Sequence, residues 1–266
     1  MMPDPSTRRA LVTGAGKRLG RAMALYLGKR GYDVAVHYAS SSTGAEEVVA
    51  EIKNAGGTAI ALQADLLKED AVQALLPQAA EQLGGPVHVL VNNASIFEHE
   101  TFEGATRDSW DRHMESNLRA PFVLTQALAA QIPDPVMDDM NEPVAQGLVV
   151  NMIDQRVRKL TPDFASYTIA KMGLWAMTRT AAQALAPRVR VNGIGPGPTL
   201  QSTEQTAEQF AKQRARTVLK RGVNTSDIVG ALGYFLDAPA ITGQLLCVDG
   251  GQHLAWQTPD VLGVDV

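Results

Sequence analysis

The chain has 266 residues, 45% hydrophobic and 20% charged, with a net charge of −4, which is the composition of an ordinary globular protein. Its 24 Lys and Arg residues are scattered, whereas nucleic-acid binding needs them gathered into a basic stripe. Cys247 is the only cysteine, which excludes a disulfide framework and a cysteine-based zinc site and fits a reducing cytoplasm.

His88, His99, His113 and His253 have no metal-ligand spacing, so no metal is expected. The start, "MMPDPSTRRALVTG", has no apolar stretch of signal-peptide length, and no segment approaches a membrane span. These features predict a cytoplasmic protein with a small-molecule substrate and neither nucleic-acid nor membrane partners.

Short β-branched runs alternate with longer stretches of helical period, the pattern of βαβ units around a parallel sheet. The first strand is predicted at 8–13 and is followed by "TGAGKRLG" and a helix at 18–30. Gly14 and Gly16 let the backbone approach a ligand closely, and Gly20 opens a helix whose N-terminus suits a pyrophosphate. The strict G-x-G-x-x-G pattern fails, because Leu19 stands where its third glycine belongs and Arg18 sits in the tightest part of the loop.

The second strand, 34–38, ends in "VHYASSST" with no acid before Glu46. A carboxylate there would accept from the ribose hydroxyls of NAD and repel a 2′-phosphate. Its absence, with Ser40, Ser41 and Arg18 as donors beside Tyr38, favours NADP(H). The same serines also serve as an N-cap for the helix at 43–54. A third strand at 58–63 leads to Asp65 and Leu66, which are placed near the adenine, although Asp65 also reads as a turn residue.

A helix at 68–83 contains Pro77, and the fourth strand, 87–92, runs into "NNAS", residues 92–95. The next helix is predicted at 106–131, with Asn117 inside it, and Pro77 and Pro121 should each mark a kink or a first turn. Residues 132–147, rich in Pro and acid, read as an exposed loop. After a fifth strand at 147–152, a helix at 164–186 carries Tyr167 and Lys171 four residues apart, on one face. An ammonium beside a phenol favours the phenolate, so the pair is expected to bring Tyr167 toward neutrality as an acid/base.

The sixth strand, 188–194, opens into "GPGP"; Pro196, Gly197 and Thr199 follow as cofactor contacts, then a polar segment at 198–222 that fits a substrate flap. A helix at 226–236 and a strand at 245–248 complete a single α/β domain over 1–266, a doubly wound parallel sheet of about seven strands with helices on both faces. The apolar tail is expected to pack on a neighbouring subunit through Trp256.

The phosphate loop, "NNAS", Asn117, Tyr167 with Lys171, and "RVNGIGPG" occur in one order, and the chain resembles the short-chain dehydrogenase/reductase family from about residue 8 to "VDGG" at 248–251. The resemblance implies a Rossmann-like fold, hydride exchange with a nicotinamide and a homotetramer. It also implies Tyr167 as acid/base, Lys171 on the nicotinamide ribose and Asn117 holding a relay water.

Thirteen residues before Tyr167, where most members carry a serine, stands Asp154. Pteridine reductases share that change, and they resemble this chain in "TGAGKRLG", "HY", "NNASIF" and the Asp itself. By that resemblance Phe97 stacks on a planar pterin, Asn93, Ala94 and Ser95 line the cofactor, Ser95 and Arg18 also touch substrate, and Asp154 with Tyr167 protonates a ring nitrogen. Phe97 also fits a core or lid aromatic, and Asp154 a strand-end cap. The alternative enzyme is a carbonyl or 3-oxoacyl thioester reductase, and the alternative outside enzymes is a silent NADP(H) sensor.

Overall fold

The computed structural model describes residues 8–202 and 205–258. Seven strands, β1 (Arg9–Val12), β2 (Asp33–Tyr38), β3 (Ala59–Gln63), β4 (Val89–Asn92), β7 (Gly147–Met152), β8 (Val189–Pro196) and β9 (Leu245–Val248), form one sheet. Their order in it is β3-β2-β1-β4-β7-β8-β9. Every pairing in it is parallel. The crossovers are α1 (Arg18–Lys29), α2 (Ser42–Asn54), α3 (Glu69–Gln82), α4 (Arg107–Met114), α5 (Ala120–Gln131), α6 (Ala165–Leu185) and α8 (Thr225–Asp237), with a short α7 (Ala207–Ala215) before the last.

Alternation along the strands divides the core in two. Ala10 and Val12 face Met23, Leu27, Val48 and Phe235 from α1, α2 and α8. Leu11, between them, faces the opposite side with Leu75, Leu76, Leu124 and Leu128 from α3 and α5. Strands buried on both faces must be apolar throughout, which is why they read as short hydrophobic runs without polar alternation.

Register places the site. Val12 pairs with Val36 on one side and with Val91 on the other, so the loops after β1, β2 and β4 open at one edge. The strand order reverses between β1 and β4, where doubly wound sheets hold ligands beyond the carboxyl ends. Asn92 donates to Asn151 at 2.8 Å and Asn151 to Thr178 at 2.9 Å, a buried ladder tying β4 and β7 to α6.

Two expectations need correction. The helix predicted at 106–131 is divided, because Glu115–Arg119 is a π turn in which the Ala120 N–H bonds the Glu115 carbonyl. Pro121, in the first turn of α5, has no N–H for the carbonyl of Asn117 four residues back, so Asn117 lies where the regular ladder lapses. Pro77 lies in the interior of α3. The segment 132–147 holds a small hairpin, β5 (Val136–Met137) with β6 (Pro143–Val144), its tip closed by Asp138 Oδ1 accepting from Met140 and Glu142 N–H at 2.8 and 2.9 Å.

Candidate active site

A groove of about 850 Å³ runs over the carboxyl edge of the sheet, within the range of small-molecule sites. Lys17, Arg18, Arg156 and Lys171 line it against one carboxylate among the described residues, Asp154. An excess of cations in a protein of net charge −4 marks a place for an anion.

At one end lies the phosphate loop. A Cβ on Gly20 would fall 2.2 Å from the Gly14 carbonyl, so only glycine fits where α1 meets the loop. Gly14 itself has φ +63, in the left-handed region. No side chain caps α1 and no acid stands in its first turn, which leaves its N-terminal N–H groups and dipole to a ligand. These features fit a dinucleotide pyrophosphate.

The loop is braced from behind. His37 Nδ1 accepts the Gly14 N–H at 3.0 Å, which puts the ring proton on Nε2, 3.0 Å from the Ala64 carbonyl. Burial pushes this imidazole down to about 4, against the opposing effect of the Ala64 bond, so it stays neutral and keeps both roles. Thr13 Oγ1 accepts from the N–H groups of Asn93 and Ala94 at 2.9 and 3.0 Å, and Asn93 Nδ2 donates to the Thr13 carbonyl at 2.8 Å, joining the loops after β1 and β4.

Arg18 turns away from the end of β2. Its guanidinium donates to the carbonyls of Gln201 and Leu200 at 2.9 and 3.2 Å, across the switch point on the β8 side. Tyr38, Ser40 and Ser41 line the β2 end, and Ser41, though at the N-cap position of α2, makes no capping bond, so its hydroxyl is available. Asp65 and Leu66 are not part of the lining: Asp65 Oδ1 accepts the Leu67 N–H at 3.0 Å in a local turn, and Leu66 is buried in the core.

At the other end α6 delivers Tyr167 and Lys171, 5% and 2% exposed. Tyr167 Oη donates to Asp154 Oδ2 at 3.0 Å, and Asp154 Oδ1 accepts the Arg156 N–H at 2.8 Å. Lys171 Nζ donates to the Met152 carbonyl at 2.8 Å and lies 5.6 Å from the centre of the Tyr167 ring. The expected approach of Tyr167 to neutrality does not occur. Burial first, then the charge and hydrogen bond of Asp154, push the phenol well above its ordinary value, with Arg156 and Ser95 opposing. Burial likewise brings the Lys171 ammonium down to about 8, with Asp154 pulling it up. The phenol thus keeps its proton and donates it in a hydrogen bond to the carboxylate.

Asn117, fully buried, accepts from Ser95 Oγ at 2.6 Å and donates to the Ile96 carbonyl at 2.9 Å, which shapes the loop beneath Phe97. Phe97, 47% exposed, stacks on Phe164 with centroids 4.3 Å apart and planes 9° off parallel, and meets the Tyr167 ring edge-on at 4.7 Å. The Arg156 guanidinium lies 4.8 Å from the centre of the Phe164 ring. Pro196, Gly197 and Thr199 line the floor, and Gln205, Gln209, Phe210 and Gln213 of the 198–222 segment face the groove around α7. Residues 203 and 204 of that segment, and 259–266 of the tail, lie outside the described residues.

The groove therefore brings together every expected site residue except Asp65, Leu66 and Asn117, and Asn117 stands directly behind Ser95. Phe164 and Arg156 escaped sequence reasoning. The aromatic just before the Tyr167 helix was the one available sign of the former. Among the described residues no group of three or more His, Cys, Asp or Glu is placed to hold a metal, and no helix is long and apolar enough to cross a membrane.

The family model for short chain dehydrogenases matches residues 8–214. The chain belongs to this family. Membership makes it an oxidoreductase. The chain is 33% identical over 252 residues to a 3-oxoacyl-[acyl-carrier-protein] reductase, FabG, of Staphylococcus epidermidis, covering 93% of this chain and 99% of that one. Among solved structures it is similar to FolM, alternative dihydrofolate reductase 1, of Brucella canis complexed with NADP, at 42% identity and a TM-score of 0.89, over 96% of this chain and 98% of that one. The FolM structure from Brucella suis, also with NADP, gives 41% and 0.90 over 97% and 100%.

Proposed function

We propose that the chain is an NADPH-dependent reductase of a pteridine-type substrate, a dihydropterin or dihydrofolate. The observation that carries this reading is the Tyr167–Asp154 pair at 3.0 Å. A carboxylate beside the proton donor repels the lone oxygen of a ketone, whereas a pterin presents N–H groups from which a carboxylate accepts, beside the ring nitrogen that takes the proton. The flat wall of Phe97 and Phe164 supports a planar heterocycle, and the FolM likeness supports the same class.

Gly14, Gly16, Leu19 and Gly20 would hold the cofactor's pyrophosphate, and Tyr38, Ser40 and Ser41 its 2′-phosphate. Asn93, Ala94, Ser95, Lys171, Pro196, Gly197 and Thr199 would hold the nicotinamide half. NADPH bound there supplies the hydride to ring carbon. The chain's own part is the proton: Tyr167, kept protonated by burial and by Asp154, gives it to the adjacent ring nitrogen. Lys171 orients the ribose, and Asn117, whose carbonyl Pro121 cannot serve, holds a relay water. Arg18 and Ser95 contact both cofactor and substrate.

A second reading is a 3-oxoacyl thioester reductase, supported by the identity to FabG. NADPH oxidation across dihydrobiopterin, dihydromonapterin, dihydrofolate and a 3-oxoacyl thioester tests both. Reduction of the dihydropteridines is expected; reduction of the thioester alone overturns the pterin reading, and NADPH binding without any turnover makes the chain a sensor. We place the protein in the cytoplasm, consistent with its single cysteine, as a homotetramer whose exposed Phe122, Ile169 and Met172 on α5 and α6 meet partner subunits.

A further inference from the structure

Glu100 ends the loop that carries Ser95 and Phe97, and it is enclosed, 6% exposed, without lining the groove. Its Oε1 accepts from the Ser166 N–H and the Ser166 hydroxyl, both at 2.5 Å, and its Oε2 from the Ser109 hydroxyl at 2.7 Å. Its main-chain carbonyl accepts the Phe164 N–H at 2.8 Å. One residue thereby grips the start of α6 twice over and reaches α4 as well.

Fully buried His113 completes the set. Its Nε2 accepts the Glu98 N–H at 3.2 Å, so the ring proton sits on Nδ1, 2.7 Å from Ser166 Oγ. That assignment sends the Ser166 hydroxyl proton to Glu100, so that the His113 Nδ1 proton and the Ser166 hydroxyl proton each have an acceptor. The neutral imidazole this requires agrees with burial, which lowers the His113 value. Burial alone would raise Glu100, but the donors from Ser166 and Ser109 outweigh it and hold the carboxyl below its ordinary value.

Each anchored segment delivers a working surface. Phe97 lies three residues before Glu100, and Tyr167 directly follows Ser166. Phe164, stacked on Phe97, has φ +61, a conformation a bulky residue keeps only when its surroundings impose it. The His113 ring packs edge-on behind Tyr167, with centroids 6.0 Å apart.

We propose that Glu100 is a positioning residue of the reductase: through Ser166, Phe164 and His113 it locks the Phe97 loop to the first turn of α6, so that the stacking wall and the Tyr167 phenol form one rigid unit. The proposal rests on reading this groove as the reductase site.

The test compares Glu100→Ala and Glu100→Gln in the full chain. Glu100→Ala is expected to raise KM for dihydropterin and lower kcat, with kcat/KM falling on the order of tenfold to a hundredfold and NADPH affinity unchanged. Hydrogen exchange is expected to quicken at 95–100 and 164–168 and to stay unaltered in α1. Glu100→Gln keeps one oxygen for Ser166 and turns its amide to Ser109, and it is expected to restore kcat/KM to within about threefold of the unaltered chain.

A Glu100→Ala chain that melts earlier but keeps KM and kcat while folded overturns the proposal, and so does unchanged exchange at 95–100. Glu100→Gln as damaging as Glu100→Ala overturns it too. If Glu100→Ala does not fold, Ser166→Ala, which breaks the bridge to His113 and leaves the acid, is expected to move KM the same way, and a silent Ser166→Ala refutes the role. Failure of the pterin reading shows separately, in the unaltered chain. A chain that reduces only the thioester is assayed on that substrate, and one without turnover is judged by exchange alone.

Discussion

Asp154→Ala is the sharpest perturbation of the site. It removes the acceptor 3.0 Å from Tyr167 Oη and the one 2.8 Å from the Arg156 N–H. Tyr167 is 5% exposed but Asp154 lines the groove, so water that enters the vacated place offsets part of the loss. A hydrogen bond to a charged group contributes roughly 1.5–3 kcal/mol, and leaving a buried hydroxyl unpaired costs a similar amount. At about 1.4 kcal/mol per factor of ten, kcat/KM for dihydropterin should fall roughly tenfold to a hundred-and-fiftyfold. The phenol's pKa should fall as well, since the Asp154 charge and hydrogen bond are two of the three effects raising it. The assay is NADPH consumption with dihydrobiopterin and with a 3-oxoacyl thioester, beside NADPH affinity measured by its fluorescence. Binding should hold within about twofold, because the phosphate loop does not touch Asp154. An Asp154→Ala protein that binds NADPH normally and keeps pterin turnover within about threefold refutes the argument. Thioester reduction that survives while pterin reduction is lost would assign the carboxylate to the heterocycle.

On the proposed assignment of Lys171 to the cofactor's ribose, its ammonium, brought down to about 8 by burial, is charged below that value and neutral above it, so NADPH affinity should weaken as pH rises through about 8, and Lys171→Met should bind more weakly with a flatter profile. The unfolded chain binds more protons between about 8 and the ordinary 10.5, so this group's contribution to stability should grow with pH over that window, which a series of melting temperatures reads directly. Gly20→Ala drives a Cβ to 2.2 Å from the Gly14 carbonyl and 2.5 Å from Asn93 Nδ2; it should destabilise by about 1–3 kcal/mol and weaken NADPH binding, and an unaltered melting temperature with unaltered affinity would show that the loop yields.

Sheet, crossovers and the Tyr167–Lys171 pair were legible because they are local. Val34–Val36 and Val89–Val91 announce buried strands by composition, and a spacing of four on a helix places two side chains on one face. The Glu100 network was not legible, because Ser166 lies 66 residues from Glu100 and no period links them. His37 is a similar case: "HY" marked the end of β2, but its partners, Gly14 and Ala64, meet it only through the parallel register of three strands. The π turn at Glu115–Arg119 escaped because 106–131 carries an unbroken helical pattern, and Pro121 alone hinted that the ladder changes there. The expected lowering of the Tyr167 pKa failed chiefly because the ring is buried, and then because Asp154 holds the hydroxyl: spacing brought Lys171 near the ring, but no period in the sequence reports burial or the approach of Asp154.

The contact of Arg18 with Leu200 and Gln201 joins the phosphate loop to the segment after β8, although 183 residues separate Arg18 from Gln201. A phosphate that draws the guanidinium toward itself would release those two carbonyls, and occupancy at the dinucleotide end would then be felt at the substrate end before any chemistry begins. Hydrogen exchange at 200–202 should quicken when NADPH alone is added, and exchange there that NADPH leaves unmoved would refute the coupling.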